Sequence, residues 1–509
     1  MLFKKASFLF VKIILLLIVA LTTRVDAQFQ TGSEIIYAYF IEDPLTTIHI
    51  SWIDQMAQAR SFQYRLENTN AWITSSNVRS NRIPGSSNFV HKVRLSNLNP
   101  GENYEFRLGQ SEKLHRFKMM PDNLNEPLSF VKGGDMYHSS SLMIPITAAA
   151  SARNPNFAII GGDWAYADGD TTKVNRWFRL FEVWQEYMSP PNGHIVPFVP
   201  AIGNHEVIGG YNKPPSQAPL YFTFFNLPEK RAYYSLDFGD YLSLIILDSN
   251  HTNSIDGLQK QWLRQELEVR SDIPHVFPVY HVPAFPSFRV YTNHHSTMVR
   301  EHWVPIFEEF GIQLAMENHD HTFKRTKPIK NLSVDPDGIV YIGDGAWGVN
   351  TRMDEDAPNR WYLEKVSGTH HYWNITLYDN LRFIEAYDRN NEQLDAFYQQ
   401  ISSQGLPKPQ NQTPLIPGEL FLAQNYPNPF NSSTLISFVV PFSEQPEKVR
   451  LDIHNIQGQR LATLINDFLI PGSHYIKFDA SSLSLSSGTY MYRLQIGNKT
   501  RIKQMQLIK

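Results

Sequence analysis

The sequence predicts a multidomain protein: a β-sandwich, a layered α/β core and a second β-sandwich, in a chain of 509 residues. Three observations carry that expectation. Residues 35–121 alternate polar and apolar side chains over short runs, as half-buried strands do. Residues 127–400 repeat short apolar runs that end in Gly-Asp or in His, interleaved with helix-like sequence, the grammar of buried strands in an α/β fold. Beyond a Gln- and Pro-rich stretch the alternation returns and runs to residue 509. Length agrees, because a single core rarely grows this large.

Taken in order, Lys4, Lys5 and Lys12 flank the start of an apolar run from Ile13 to Leu21, and Val25-Asp26-Ala27 follows. That is the pattern of a secretory signal peptide over residues 1–27. The run falls short of the ~20 apolar residues that a membrane span needs, so the mature chain is expected to carry no stable span. Cysteine is absent. Disulfides and thiolate ligands are thereby excluded, and any metal must rest on Asp, Glu, His, Asn or Tyr. A formal net charge of −3 offers no basic footprint, so nucleic acid is not expected as a partner.

Residues 33–122 form the first sandwich, with alternation in Thr46–Trp52, Ser61–Leu66 and Phe89–Leu95. The core at 127–400 begins with Leu128–Val131, which reaches Gly133-Gly134-Asp135 after Lys132, and Phe157–Ile160, which meets Gly161-Gly162-Asp163 at once. Leu242–Leu247 before Asp248, Val276–Tyr280 before His281 and Ile339–Ile342 before Gly343-Asp344-Gly345 repeat the device. Each places a polar side chain at the carboxyl end of a strand, where α/β folds bind ligands. Lys173–Met188 reads as a helix between them. Residues 401–419 read as an extended linker, and 420–509 as the final sandwich, with Leu451–His454 and Tyr490–Leu494 as strands.

Five strings in the core carry chemistry: GGD ending at Asp135, GGDWAY with Asp163 and Tyr166, GNHE at 203–206, YH ending at His281, and HDH at 319–321. Singly each is weak, since a Gly-Asp or Gly-Asn pair usually marks only a turn. Together they supply a bridging carboxylate, hard oxygen donors and imidazoles. That is the set needed by two Lewis-acidic ions held about 3.5–4 Å apart for phosphoester cleavage. Asp135, Asp163, Tyr166, Asn204, His281, His319 and His321 are the candidate ligands. The spacing within HDH predicts two histidines pointing the same way on an extended segment.

This ordered set resembles the purple acid phosphatases within the calcineurin-like metallophosphoesterases. Leu95–Arg107, with Tyr104 at the corner, resembles the late turn and strand of a fibronectin type III domain, which precedes catalysis in plant-type members. The resemblance covers most of residues 33–400 and implies a four-layer α/β core. It implies Fe(III) on Asp135, Tyr166 and His321, a divalent ion (Zn, Mn or Fe) on Asn204, His281 and His319, and Asp163 as the bridge. It further implies His205, His294 and His295 as outer histidines that bind phosphate and protonate the leaving group. The activity implied is an acid phosphatase acting on small phosphate monoesters by attack of a metal-bound hydroxide. The alternatives are a phosphodiesterase or nucleotide phosphatase on the same ions, or an inactive metal-bearing surface protein.

Two departures from the family pattern stand out. The loop Val282–Asn293 is longer than in the plant enzymes, and Asn318 replaces the glycine before the first terminal histidine. A side chain there is expected to strain or shift His319, although Asn tolerates left-handed backbone angles. The tail, through Leu422–Asn431 with its NYPNPFN string, Val449–Ile456, Gly488-Thr489-Tyr490 and a basic end at Lys499, Arg501, Lys503 and Lys509, resembles a type IX secretion sorting domain. That implies the secretion machinery as a partner, and a secreted or cell-surface location.

Overall fold

The computed structural model describes residues 34–401 apart from 380, and 420–508 apart from 423, 426–427, 442–446, 470–471 and 484. The expected signal peptide and nearly all of the expected linker lie outside the described residues.

Two sheets build the catalytic region, and their strands end level with one another. In the first, Leu128–Gly133, Ala158–Ile160 and Phe198–Pro200 run parallel, with Ile160 opposite both Gly133 and Pro200. In the second, Leu242–Ile246, His275–Val279, Leu314–Met316 and Val340–Gly343 run parallel, with Ile246 paired to Val279, Val279 to Met316 and Met316 to Ile342. Matched registers bring the loops after all these strands to one rim.

The four layers follow from period-two alternation in the second sheet. Leu242, Leu244 and Ile246 join Phe130, Val131 and Ile159 of the first sheet in one buried core. Ile245 and Leu247 face the other way and pack with Leu263, Leu267, Val299 and Trp303 of the helices Leu258–Glu268 and His294–His302 and the turn after them. On the outer face of the first sheet, the helix Asn175–Tyr187 buries Trp177, Phe178, Leu180, Phe181 and Trp184, one apolar stripe at helical spacing. The helix read over Lys173–Met188 is therefore observed, preceded by a turn of 3₁₀ helix at Thr171–Lys173.

The N-terminal region is β-rich as expected, but it is not set apart from the core. Its strands Ile35–Tyr39, Ile48–Asp54, Phe89–Leu95 and Val78–Arg82 continue the first catalytic sheet, which reaches ten strands, through a parallel pairing of Tyr39 with Phe198. Phe62–Leu66 and its neighbours form a second, four-stranded sheet that completes the sandwich. Tyr104 sits at the expected corner, its hydroxyl accepting from Asn99 N at 2.8 Å. Residues 420–508 fold as a three-stranded and a four-stranded sheet around their own core of Ile436, Phe438, Leu451, Tyr492 and Leu494.

Candidate metal centre

The loops at the rim bring all seven candidate ligands together in two adjoining groups. In the first, the Tyr166 hydroxyl lies 2.8 Å from Asp135 Oδ1 and 2.8 Å from His321 Nε2. In the second, His281 Nε2 lies 3.0 Å from His319 Nδ1, 3.2 Å from Asn204 Oδ1 and 3.1 Å from Asp163 Oδ2. Ligand atoms of Asp163, His281 and His319 all fall within 4.8 Å of one another. The groups meet where His319 N donates to Asp135 Oδ2 at 3.0 Å.

Backbone strain concentrates here. Asp135, Asp163, Tyr166, His319 and His321 all have positive φ, between 51° and 84°. Such angles cost a non-glycine residue free energy and persist where the surroundings enforce them, as at functional sites. The extended HDH segment expected from the sequence is thus replaced by a bend. His319 turns to the His281 group and His321 to the Tyr166 group, so the two histidines serve different halves of the site. The positive φ falls on the histidines rather than on Asn318.

Asn318 itself is buried and satisfied. Its amide donates to Tyr280 O at 2.9 Å, and its side-chain oxygen accepts from Lys132 Nζ at 3.0 Å. It also explains why both Gly-Gly-Asp strings need their first or second glycine. A Cβ on Gly134 would meet Asn318 Oδ1 at 2.4 Å, and one on Gly161 would meet Asn318 Nδ2 at 1.8 Å. The expected strain from this side chain is relieved by the absence of side chains opposite it.

The donor set fits hard metal ions. Asp163 Oδ2 is buried with no hydrogen bond aimed at it, an orphaned acceptor of the kind that a cation satisfies. Burial opposes ionisation of Asp163, but His281 and His205 outweigh it and hold the carboxyl well below its usual range. Burial, then the charges of Arg289 and His281, hold His319 well below the ordinary histidine pKa, the neutral form that a metal ligand needs. Burial, reinforced by Asp135 and Asp163, holds the Tyr166 phenol well above its ordinary pKa.

Of the outer histidines, His205 lies against the cluster. Its ring packs 4.1 Å from the Tyr166 ring, Nε2 is 3.9 Å from Asp163 Oδ2, and Nδ1 is 2.5 Å from Asp168 Oδ1. His295 stacks on Tyr211 at 4.0 Å, and the Tyr211 hydroxyl reaches His319 Nε2 at 3.2 Å. His294 is exposed, its ring 5.2 Å from that of His295. The pair opens the helix His294–His302, capped by Asn293, which accepts from His295 N and Ser296 N.

Several neighbours escaped the sequence reading. Asp168 orients His205, and its only signal is a place two residues past Tyr166. Glu206, the last letter of GNHE, accepts from Asp163 N, Trp164 N and Gly203 N, each at 2.8 Å, and so ties two ligand turns together. Burial and the nearby Asp163 charge push its carboxyl up to about 8. Tyr211 and Lys132 carried no motif at all.

Behind the HDH bend lies a buried ion network. Lys324 Nζ is 2.6 Å from Glu317 Oε2 and 3.0 Å from Asp344 Oδ2, and it donates to Phe285 O at 2.7 Å. Glu317 Oε1 accepts from Tyr280 and Ala284 N. Removing one partner of such a network strands the others without compensation. Lys324→Met is therefore expected to lower unfolding free energy by about 3–5 kcal/mol in chemical denaturation; a loss below about 1 kcal/mol would show the network to be dispensable.

Fold and cluster agree with what the chain is similar to. Residues 134–323 match the calcineurin-like phosphoesterase family, 34–121 the purple acid phosphatase N-terminal domain and 424–509 the secretion system C-terminal sorting domain. The chain therefore carries a domain of the purple acid phosphatases, a phosphoesterase domain and a tail that serves as an export address for the cell surface or medium. It is 22% identical over 331 residues to purple acid phosphatase 21 of Arabidopsis thaliana, covering 62% of this chain and 72% of that protein. To purple acid phosphatase 23 of the same plant it is 24% identical, covering 53% and 65%. Among solved structures, a purple acid phosphatase from yellow lupin (Lupinus luteus) seeds shares the fold at a TM-score of 0.60 and 17% identity, over 72% of this chain and 74% of that one. PhoD shares it at 0.54 and 12% identity, over 76% and 94%. No helix among the described residues is long and apolar enough to cross a membrane.

Proposed function

We propose that the protein is an exported acid phosphatase that hydrolyses small phosphate monoesters at a dinuclear metal site. The observation that supports this reading is two adjoining ligand groups, joined where His319 N donates to Asp135 Oδ2, with an orphaned, buried carboxylate oxygen on Asp163 beside His281. Asp135, Tyr166 and His321 would hold Fe(III), Asn204, His281 and His319 a divalent ion (Zn, Mn or Fe), with Asp163 between them. When bound, such ions supply Lewis acidity and activation of water for attack on phosphorus.

The chain's own side chains would do the rest. His205, oriented through Nδ1 by Asp168, presents Nε2 to the cleft beside Asp163. There it can donate to a phosphate oxygen and pass its proton to the departing alkoxide. His295, braced by Tyr211, offers a second donor on the His319 side, and His294 beside it is the more exposed member of the pair. The choice of a trivalent ion rests on Tyr166: its buried phenol, held neutral by burial and two carboxylates, would ionise only beside a highly charged cation, its proton leaving to solvent.

The buried, satisfied Asn318 argues against an inactive site, because the one ligand-string departure is accommodated. Metal-replete protein is expected to hydrolyse p-nitrophenyl phosphate faster than its bis ester. A preference for the bis ester would turn the assignment to phosphodiesterase, and hydrolysis of neither would reject it. Tyr166→Phe is expected to lose a broad visible absorption band with the fold intact by circular dichroism; full colour in that variant would reject the Fe(III)-phenolate pairing.

A further inference from the structure

Beside the HDH bend stand large side chains that the proposed chemistry does not use. Phe288, Val290, Met353 and Trp361 are 37%, 65%, 43% and 41% exposed, large apolar groups left in water. They stand on two segments that the fold joins. Arg360 donates to Pro286 O, Arg289 O and Phe288 O at 2.7, 2.8 and 3.2 Å, and the Arg352 guanidinium lies 5.5 Å from the centre of the Phe288 ring.

Both segments are fastened to the HDH bend. Asp320, between the two candidate ligand histidines, is fully buried and accepts from Ser287 N, Phe288 N and Arg289 N at 2.8, 2.8 and 3.2 Å. Arg289 Nη1 adds bonds to Asp320 Oδ1 at 2.5 Å and His319 O at 3.0 Å. On the other side, Arg352 N donates to His321 O at 2.9 Å. The long loop after His281 is therefore a fixed wall, and Phe288 is set one hydrogen bond away from the metal-binding bend.

We propose that Phe288, flanked by Arg352, is a specificity platform that binds the planar aromatic arm of the phosphate ester. The inference rests on the phosphatase reading of the same cleft. An ester whose phosphorus sits at the cluster carries its organic arm outward across these side chains. The exposed ring offers a flat apolar face to an arene, and the adjacent guanidinium can add a cation–π contact to the same arene. A methyl arm is too small to cover the ring or to reach the guanidinium's π contact.

The test is binding of two unreactive probes, phenylphosphonate and methylphosphonate, to the full metal-loaded chain by calorimetry. Wild type is expected to bind phenylphosphonate about tenfold more tightly, and Phe288→Ala to bring that ratio close to one, with Phe288→Trp restoring it. An unchanged ratio in Phe288→Ala would overturn the platform. So would methylphosphonate binding with no phenyl advantage in wild type, which leaves the phosphatase reading standing. Failure of both phosphonates to bind would remove the phosphatase reading and the platform together.

Discussion

Asp163→Ala is expected to lose both metal equivalents at once while the fold persists. As the proposed bridge, the carboxylate would serve both halves of the site. Oδ1 accepts from His205 N at 2.8 Å, and Oδ2 lies beside His281 with no hydrogen bond aimed at it. Without the carboxylate, the two groups of ligands would face each other with no shared anion, and two cations at about 3.5–4 Å need one. Elemental analysis of the purified variant checks this. Retention of two equivalents would sink the bridging role. Loss of a single equivalent would assign Asp163 to one half only.

His205→Ala is expected to lower turnover by roughly 10² to 10⁴, the usual range for a lost acid or base, with metal content unchanged. His205 is not among the proposed ligands, yet its ring lies against Tyr166 and its Nε2 faces the space in front of Asp163. Asp168 fixes the ring from behind, as carboxylates do for functional histidines. Turnover should therefore fall without a matching loss of affinity for methylphosphonate. Steady-state kinetics on phenyl and alkyl esters gives a further check, since a proton donor matters most when the leaving alkoxide is basic. An unchanged rate on an alkyl ester would remove His205 from the mechanism.

Much of this site was legible in the sequence because its chemistry is local in the chain. A buried strand, a glycine turn and a polar ligand are neighbours in sequence, and the strand ends do share a rim as Asp135, Asp163 and His281 suggested. The helix at Asn175–Tyr187 was equally readable from its apolar stripe. Other features depend on contacts between residues far apart in the chain. Lys132 and Asn318 are 186 residues apart, and neither residue type announces a partner. The edge pairing of Tyr39 with Phe198, which merges the N-terminal sheet with the catalytic one, has no local signal either.

The HDH bend shows the limit of pattern reasoning at a strained site. Period two is a sound guide where the backbone is extended, but His319 and His321 both adopt positive φ. Asp135 accepting from His319 N, and Asp320 anchoring the overhanging loop, pull the segment out of the extended form. The longer loop at 282–293, readable as a departure in the sequence, gains its meaning only from that anchor. The shape of the cleft mouth is set there.

The proposed activity depends on a two-metal site completed by a tyrosine ligand. Its most direct test is the metal content of the purified, metal-replete full chain, measured together with its visible spectrum. Two equivalents per chain, one of them iron, and a broad visible band are expected. One equivalent or none, or two equivalents without iron and without the band, would contradict it.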